Sequence, residues 1–175
     1  ARAMQPASAA TVRGNFDGAT LRKDGVTSRF FRRDGRYFVN TDGPDGRLAD
    51  YEIKYTFGIE PLQQYLVEFP GGRLQALPLA WDTVRQRWFH VYGNERIDHR
   101  DVLHWTRTAG NWNTMCASCH ATEVRKNYDA TTGTYRTTTH ALGVGCQACH
   151  GPASGHLAWA RGPRPTGVAG KGFAA

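Results

Sequence analysis

The sequence predicts a mixed, β-rich fold, with an antiparallel β module over about residues 12–105 and a mostly irregular segment with short helices after it. Two observations lead to this prediction. Within the module, short runs with period-two alternation are separated by turns rich in Gly, Pro and Asp, which is typical of antiparallel strands. Beyond about residue 100, regular runs give way to Trp, His, Cys and small residues.

Each strand of the module is predicted from an aromatic or β-branched run bounded by a turn. Asp34-Gly35 supplies the positive φ angles that a two-residue hairpin turn needs, and Pro70-Gly71-Gly72 predicts another reversal. The predicted strands are residues 28–33, 36–39, 51–55, 62–69, 73–79 and 87–92, with a further turn at residues 42–46. Such a series indicates a meander or a small sandwich, preceded by residues 1–12, which lack clear periodicity.

The segment after the module is expected to hold only short elements. Residues 128–135 predict a turn or hairpin around Thr131-Thr132-Gly133. Ser154 is expected to cap a last short helix over about residues 155–161. A Gly- and Pro-rich tail follows, which predicts an extended or linker segment. The predicted division is therefore a β-rich module at 1–105, a cofactor-binding segment at 106–161 and a tail at 162–175.

Two stretches of that segment carry the chemistry: residues 116–120 read Cys-Ala-Ser-Cys-His and residues 146–150 read Cys-Gln-Ala-Cys-His. Cys-x-x-Cys-His is the attachment sequence of c-type haem, whose vinyl groups form thioether links with the two thiols. The adjacent histidine then supplies a nitrogen to the iron. The sequence thus predicts two haem c groups. They would be bound by Cys116, Cys119 and His120, and by Cys146, Cys149 and His150.

Other uses of four cysteines fit the pattern less well. Two Cys-x-x-Cys pairs can bind Zn²⁺ as four thiolates, but the 26 residues between Cys119 and Cys146 exceed the roughly 15–20 of a common zinc ribbon. Zinc also gives no reason for a histidine after both pairs. Thioredoxin-like chemistry needs a single pair in a βαβ setting. Structural disulfides are the least favoured of these uses.

The sixth iron ligand is expected to be histidine. Five histidines lie outside the motifs, against two methionines in the whole chain. Met115 directly precedes Cys116 and is badly placed for the distal face of either iron, while Met4 lies in a terminal segment. Bis-histidine ligation favours a low potential and suits electron transfer better than ligand activation.

The five histidines differ in their suitability. His156 lies six residues beyond His150, too close to reach the far face of its own haem but able to reach a neighbouring one. His104, beside Trp105, can fold back towards a haem, and His90 lies in an aromatic strand. His140 is a weaker candidate, and His99 lies in a charged stretch that is expected to face solvent.

Composition limits the partners and the location. The formal net charge is +7, and each ferric haem with two ionised propionates would contribute about −1. The excess either neutralises propionates or steers docking to acidic redox partners. Scattered basic residues without a recognition motif argue against nucleic acid, and no apolar run is long enough to span a membrane. Because c-type haem is attached outside the bacterial cytoplasmic membrane, we expect a periplasmic or extracellular protein whose leader has been removed, or a fragment of one.

Eight stretches carry a resemblance to a known family: residues 3–7, 25–35, 41–46, 60–65, 69–77, 103–106, 111–113 and 146–151. On these the chain resembles, over about residues 3–160, the haem-bearing part of bacterial multihaem c-type cytochromes that carry tetratricopeptide repeats. The resemblance implies ligation by His120 and His150 and favours His90, His104 and His156 as distal ligands. The family usually has a further Cys-x-x-Cys-His before the Met-Gln-Pro segment and repeats after the haem-bearing part, and this sequence has neither. We therefore expect either a truncated protein, in which a distal ligand here can belong to a haem outside this chain, or a natural two-haem variant.

The expected function is electron transfer by a multihaem cytochrome, dihaem as this sequence stands, with other redox proteins or cytochrome subunits as partners. An electron carrier is favoured over an enzyme. Two alternatives stay open. One is a haem enzyme that acts on a small nitrogen, sulfur or peroxide substrate at an iron with an open distal side. The other is a structural subunit, whose β module docks within a cytochrome assembly or filament.

Overall fold

Short strands and four short helices form the part of the chain that the structure, a computed structural model, describes: residues 3–151 and 153–163. The strands are β1 (Met4–Pro6), β2 (Thr20–Lys23), β3 (Val26–Arg33), β4 (Arg36–Asp42), β5 (Leu48–Phe57), β6 (Leu62–Phe69), β7 (Arg73–Ala76), β8 (Leu79–Asp82), β9 (Arg87–His90), β10 (Ala121–Thr122), β11 (Tyr128–Asp129), β12 (Thr134–Tyr135) and β13 (Ala141–Leu142). The helices are α1 (Trp112–Met115), α2 (Ala117–His120), α3 (Gln147–His150) and α4 (Ser154–Arg161).

The first nine strands form one antiparallel sheet that curls almost into a barrel. Its strand order is β2-β3-β4-β5-β6-β8-β9, with β1 added to β5 and β7 added to β6. The two end strands, β2 and β9, approach each other, and the Lys23 ammonium bridges this gap by donating to the carbonyl of Glu95 at 2.8 Å. The predicted β-rich class, with few and short helices, is confirmed.

Two Asp-Gly turns build the first hairpins. Asp34 and Gly35 have φ angles of 51° and 72° between β3 and β4, as predicted. Asp24 and Gly25 repeat this geometry with φ angles of 49° and 89° between β2 and β3. Positive φ at both central residues matches the twist of a two-residue hairpin, and glycine adopts it without steric cost. The predicted hairpin across Thr131-Thr132-Gly133 is also present, as β11 and β12.

Several predicted boundaries were wrong. Residues 73–79 form two strands instead of one, because Pro78 cannot donate to a strand ladder and the chain leaves β6 there before returning as β8. The strand predicted to reach residue 92 ends at His90. Ser154 is the first residue of α4 and not its cap, since Ala153 holds the cap position without a side-chain hydrogen bond. Of the predicted tail, residues 164–175 lie outside the described residues.

The interior of the barrel is filled with aromatic rings. Phe16 enters it from the loop before β2 and makes edge-to-face contacts with four rings at centroid distances of 5.1–5.8 Å. Two of these partners, Phe30 and Trp88, also stack on each other at 3.5 Å. Gly14 passes so close that a Cβ there would lie 2.6 Å from the hydroxyl of Tyr65. The core therefore depends on a glycine at the point where the first loop crosses it.

A second core lies on the outer face of β5, β6 and β7. Because successive side chains of a strand point to opposite faces, Tyr65 and Val67 enter the barrel while Leu66 points outward. The segment that carries the cysteines (residues 106–161, the cysteine-bearing segment) covers Leu66 with Trp112 and Ala117. All three residues are at most 1 % exposed. Burial on both faces explains why β6 shows almost no hydrophobic alternation.

Buried amides fasten that segment to β7. The Asn113 side chain accepts from the Leu74 N–H at 2.8 Å and donates to the Gly72 carbonyl at 3.2 Å. Gln75, fully buried, donates to the carbonyls of Trp105 and Arg107 at 2.6 and 2.9 Å. Loss of either side chain would leave buried backbone groups without a partner, which carries a desolvation cost. These contacts therefore fix where the segment begins.

Candidate functional site

The first Cys-x-x-Cys-His motif occupies a single helical turn after α1. Asn111 caps α1, and its Oδ1 accepts from the Thr114 N–H at 3.2 Å. The N–H groups of Cys119 and His120 then donate to the carbonyl of Cys116 at 3.2 and 3.1 Å. Side chains three apart on a helix share a face. The turn therefore presents both thiols on one side, with the imidazole following directly.

The second motif repeats this turn. The N–H groups of Cys149 and His150 donate to the carbonyl of Cys146 at 3.3 and 3.0 Å. Gly151 ends the helix at φ 68° and donates to the Gln147 carbonyl at 3.0 Å. A glycine in this conformation is a common stop for a helix. Both motifs thus have the same local backbone, although the sequence around them differs.

The four thiols are free, and three of them are exposed. Cys116 is half-buried against the second core, and burial together with the neighbouring Cys119 raises the pKa of its thiol. The exposed imidazole of His120 packs edge-on against the ring of Phe57, with centroids 4.7 Å apart. The first motif therefore rests on the end of β5, where one apolar ring is already in place.

The structure pairs the strand that follows the first motif with the strand that precedes the second motif. β10 begins at the residue after His120 and pairs antiparallel with β13, where Ala121 faces Leu142 and Thr122 faces Ala141. Four residues after Leu142 the chain reaches Cys146. Neighbouring strands lie about 4.8 Å apart. The end of the first motif and the approach to the second are thus held side by side.

The donor set fits covalently attached haem. Each motif offers two thiols from one helical turn and a histidine next to the second thiol, and His120 and His150 are both exposed. Apolar side chains next to the motifs in sequence are also exposed: Met115 by 60 % and Val144 by 44 %. Such side chains are suited to pack against a porphyrin, which is itself a large apolar surface.

The structure places His90 and His104 elsewhere, around a cavity of about 120 Å³ at one end of the barrel. His99 also lines it, so this half-buried residue does not simply face solvent as expected. Burial, with a smaller contribution from Lys23, lowers the pKa of His90, and its Nδ1 accepts from the Tyr92 N–H at 3.3 Å. Three of the seven histidines therefore share a site that the sequence had not grouped.

Both ring nitrogens of His104 are engaged. Nε2 lies 3.0 Å from the Asp42 carboxylate and Nδ1 lies 2.8 Å from the hydroxyl of Thr106, and the histidine is only 3 % exposed. Burial opposes ionisation of Asp42, but the hydrogen bond and charge of His104 outweigh it and lower the pKa of that carboxyl. Iron ligation through Nε2 would require His104 to leave Asp42.

His104 and the first motif lie at opposite ends of β5. Asp42 pairs with Leu48, the first residue of that strand, whereas His120 packs on Phe57, the last. Ten residues at about 3.3 Å each separate these ends by roughly 30 Å. The structure therefore does not bring His104 to the His120 side of the protein.

The two remaining histidines lie close to the motifs in the chain. His156 is on α4, six residues after His150, and its ring stacks on Trp159 with centroids 5.7 Å apart. His140 is exposed and its N–H donates to the Thr122 carbonyl at 2.9 Å, which places it beside the strand that follows the first motif. The β10–β13 pairing that places His140 there was not predicted from the sequence.

Over residues 3–151 and 153–163, no three or more His, Cys, Asp or Glu side chains are grouped so that they could hold a metal ion. Among the helices in that same part of the chain, none is long and apolar enough to cross a membrane.

The fold and the two turns define a candidate c-type cytochrome, and a family comparison supports this class. Residues 88–151 match the family described as cytochrome c554 and c-prime, over slightly more than a third of the chain. The matched stretch runs from β9 through both motifs and includes His90 and His104, whereas His156 lies beyond it. Neither a curated protein nor a solved structure matches the chain. The match supports haem c with its iron as the cofactor and redox proteins as partners.

Proposed function

We propose that this chain is a dihaem c-type cytochrome that transfers electrons through bis-histidine haems in the periplasm or outside the cell. The observation that carries this proposal is the pair of equivalent Cys-x-x-Cys-His turns, set side by side through β10 and β13. Two redox groups on adjacent turns suit electron relay, because electrons pass between cofactors only over short distances.

Each residue of the turns has a defined role. Cys116 and Cys119 hold the first haem, and Cys146 and Cys149 hold the second, while His120 and His150 bind the irons. When bound, each haem supplies an iron that exchanges one electron between ferric and ferrous states. The polypeptide supplies fixed attachment and axial nitrogens, so little has to move when the oxidation state changes.

The distal ligands are proposed from the histidines outside the motifs. His156 is favoured because it lies six residues after His150, too close to serve the second haem but able to reach the neighbouring haem on the first motif. His90 and His104 remain in the set because the family resemblance includes them, and their shared position at the far end of the barrel suits a haem other than the one held by Cys116 and Cys119. In that arrangement they serve a haem that is not held by the first motif of this chain.

The deciding experiment is an intact mass of the purified protein combined with a reduced-pyridine haem spectrum. We expect the mass of the polypeptide plus two haems and the spectrum of a c-type haem. The double variants Cys116→Ser/Cys119→Ser and Cys146→Ser/Cys149→Ser should each retain one haem. A bare polypeptide mass, or zinc released on acidification, would overturn the proposal.

A further inference from the structure

A buried hydroxyl joins the two cysteine motifs. Thr122 lies two residues after His120 and is 2 % exposed. Its Oγ1 donates to the Gly143 carbonyl at 2.9 Å and accepts from the Gly145 N–H at 3.1 Å. Gly145 directly precedes Cys146. One side chain thus connects the end of the first motif to the residue before the second.

The backbone alone gives this junction little support. β10 and β13 share only two residue pairs, and the backbone N–H of His140 adds one bond to the Thr122 carbonyl at 2.9 Å. Beyond these pairs lie two single bridges, Ala121 with Gly143 and Arg125 with Thr138. Two-stranded pairings are marginally stable on their own. Gly143 then turns the chain with φ 96°, a conformation that suits glycine, and the regular ladder stops. Beyond this point the Thr122 hydroxyl bonds the chain on both sides of the turn, at the Gly143 carbonyl and at the Gly145 N–H.

We propose that Thr122 is a positioning residue that sets the second haem-attachment turn relative to the first, and thereby the electronic contact between the two haems. This inference rests on the proposed dihaem function. The physical reason is that electron exchange and magnetic coupling between two redox groups both weaken steeply with distance. A change of a few ångströms at the junction therefore changes the contact without touching a thiol or an axial histidine.

The test uses three variants of the holoprotein. Thr122→Val removes the hydroxyl at nearly constant volume, and Thr122→Ser keeps it. Thr137→Val is the matched control, since Thr137 donates to the Lys126 carbonyl at 3.1 Å and accepts from the Asn113 amide at 2.9 Å. This control loses two hydrogen bonds in the same segment, but it keeps the bonds by which Thr122 joins the end of the first motif to Gly145. Intact mass first establishes that each protein carries two haems.

The first measurement is hydrogen exchange at the Gly145 amide. We expect it to be about tenfold faster in Thr122→Val, the factor that corresponds to loss of a typical hydrogen bond. Thr122→Ser and Thr137→Val should keep the wild-type rate at this amide. Equal rates in all four proteins would show that Thr122 does not hold the junction and would overturn the inference.

The second measurement is the spin–spin coupling of the two ferric haems in paramagnetic resonance. Wild type, Thr122→Ser and Thr137→Val should share one coupled signal, and Thr122→Val should lose it. Coupling that is absent from the wild type, or equal in all four dihaem proteins, would overturn the electronic part of the inference. A wild-type mass with fewer than two haems would instead contradict the proposed function, and the exchange rate at Gly145 would still report whether Thr122 holds the junction.

Discussion

The two ring nitrogens of His104 contact a hydroxyl and a carboxylate, so in this arrangement neither nitrogen faces a site where a metal could bind. The contacts to Asp42 and Thr106 are short, and the ring is buried. No pattern in the sequence could show this, because Asp42 lies 62 positions away and meets His104 only after β4 and the later loop have folded together. The two motifs could be identified from the sequence for the opposite reason, since the haem attachment proposed for them depends only on local spacing within five positions.

Removal of the Asp42 carboxylate is therefore expected to destabilise the β module. Asp42→Ala leaves a buried imidazole nitrogen without its partner, which should lower the free energy of unfolding by about 1–3 kcal/mol. Urea unfolding at neutral pH measures this. Glu68→Ala, an exposed carboxylate on β6, should change the free energy by less than about 0.5 kcal/mol. A similar small effect for both variants would contradict the structural role of the pair.

The proposed axial roles of His120 and His150 can be tested one haem at a time. His120→Met and His150→Met should each keep both covalent haems, because the thiols are untouched. Methionine as an axial ligand raises the potential relative to histidine. A redox titration should therefore show one of the two reduction steps moved to higher potential in each variant, with the other step nearly unchanged. Potentials that stay at their wild-type values in both variants would mean that these histidines do not bind iron.

Among the elements, hairpins were predictable where a turn dictates its own geometry. Asp34-Gly35 forms the expected turn, and Asp24-Gly25 offered the same signal for β2, which was not predicted. β1 could not be predicted, because its three residues show no periodicity and are ordered by pairing with the distant end of β5. The packing of Trp112 and Ala117 on Leu66 could not be predicted either, since periodicity shows which residues are apolar but not what packs against them.

At the scale of the elements, the Asn113 side chain bonds the cysteine-bearing segment to β7, and its removal should weaken the packing of that segment on the sheet. It is 1 % exposed and bonds the Leu74 N–H, the Gly72 carbonyl and the Thr137 hydroxyl. Asn113→Ala should lower the free energy of unfolding by about 1–3 kcal/mol, because several buried polar groups lose a partner. Urea unfolding monitored by tryptophan fluorescence would show it. Asn94→Ala, at an exposed turn, serves as the control and should leave the midpoint unchanged.

At the scale of the whole molecule, part of the excess positive charge lies on the outer face of β3 and β4, where arginines pack on two phenylalanine rings. Arg33 lies 4.4 Å over the Phe38 ring and Arg36 lies 5.7 Å from it, and Phe31 stacks on Phe38 at 5.5 Å. Asp50 and Glu52 pair with these two arginines and balance their formal charge, so the excess on this face comes from a third arginine, Arg29, 5.9 Å over the Phe31 ring. Composition predicted the sign of the charge, but only the sheet register shows where it gathers.

Electron transfer to an acidic partner should therefore depend on salt. The second-order rate with a reduced acidic flavoprotein is expected to fall as ionic strength rises towards about 0.15 M, where the screening length shortens to roughly 8 Å. Arg33→Gln/Arg36→Gln should reduce both the low-salt rate and the salt dependence. Arg87→Gln/Arg22→Gln removes the same total charge from other strands. If both double variants have equal rates, net charge and not this face governs the encounter.

The half-buried position of Cys116 has a consequence for how the protein matures. Its thiol packs against the second core once α1 and α2 settle on the sheet, whereas Cys119, Cys146 and Cys149 stay exposed. A maturation enzyme reaches Cys116 most easily before that settling, and a raised thiol pKa also slows its chemistry afterwards. On the proposed haem attachment, folding therefore competes with attachment at the first motif and not at the second. A protein made under limiting haem is then expected to accumulate with haem on the second motif and none on the first, which intact mass of the two peptides would show.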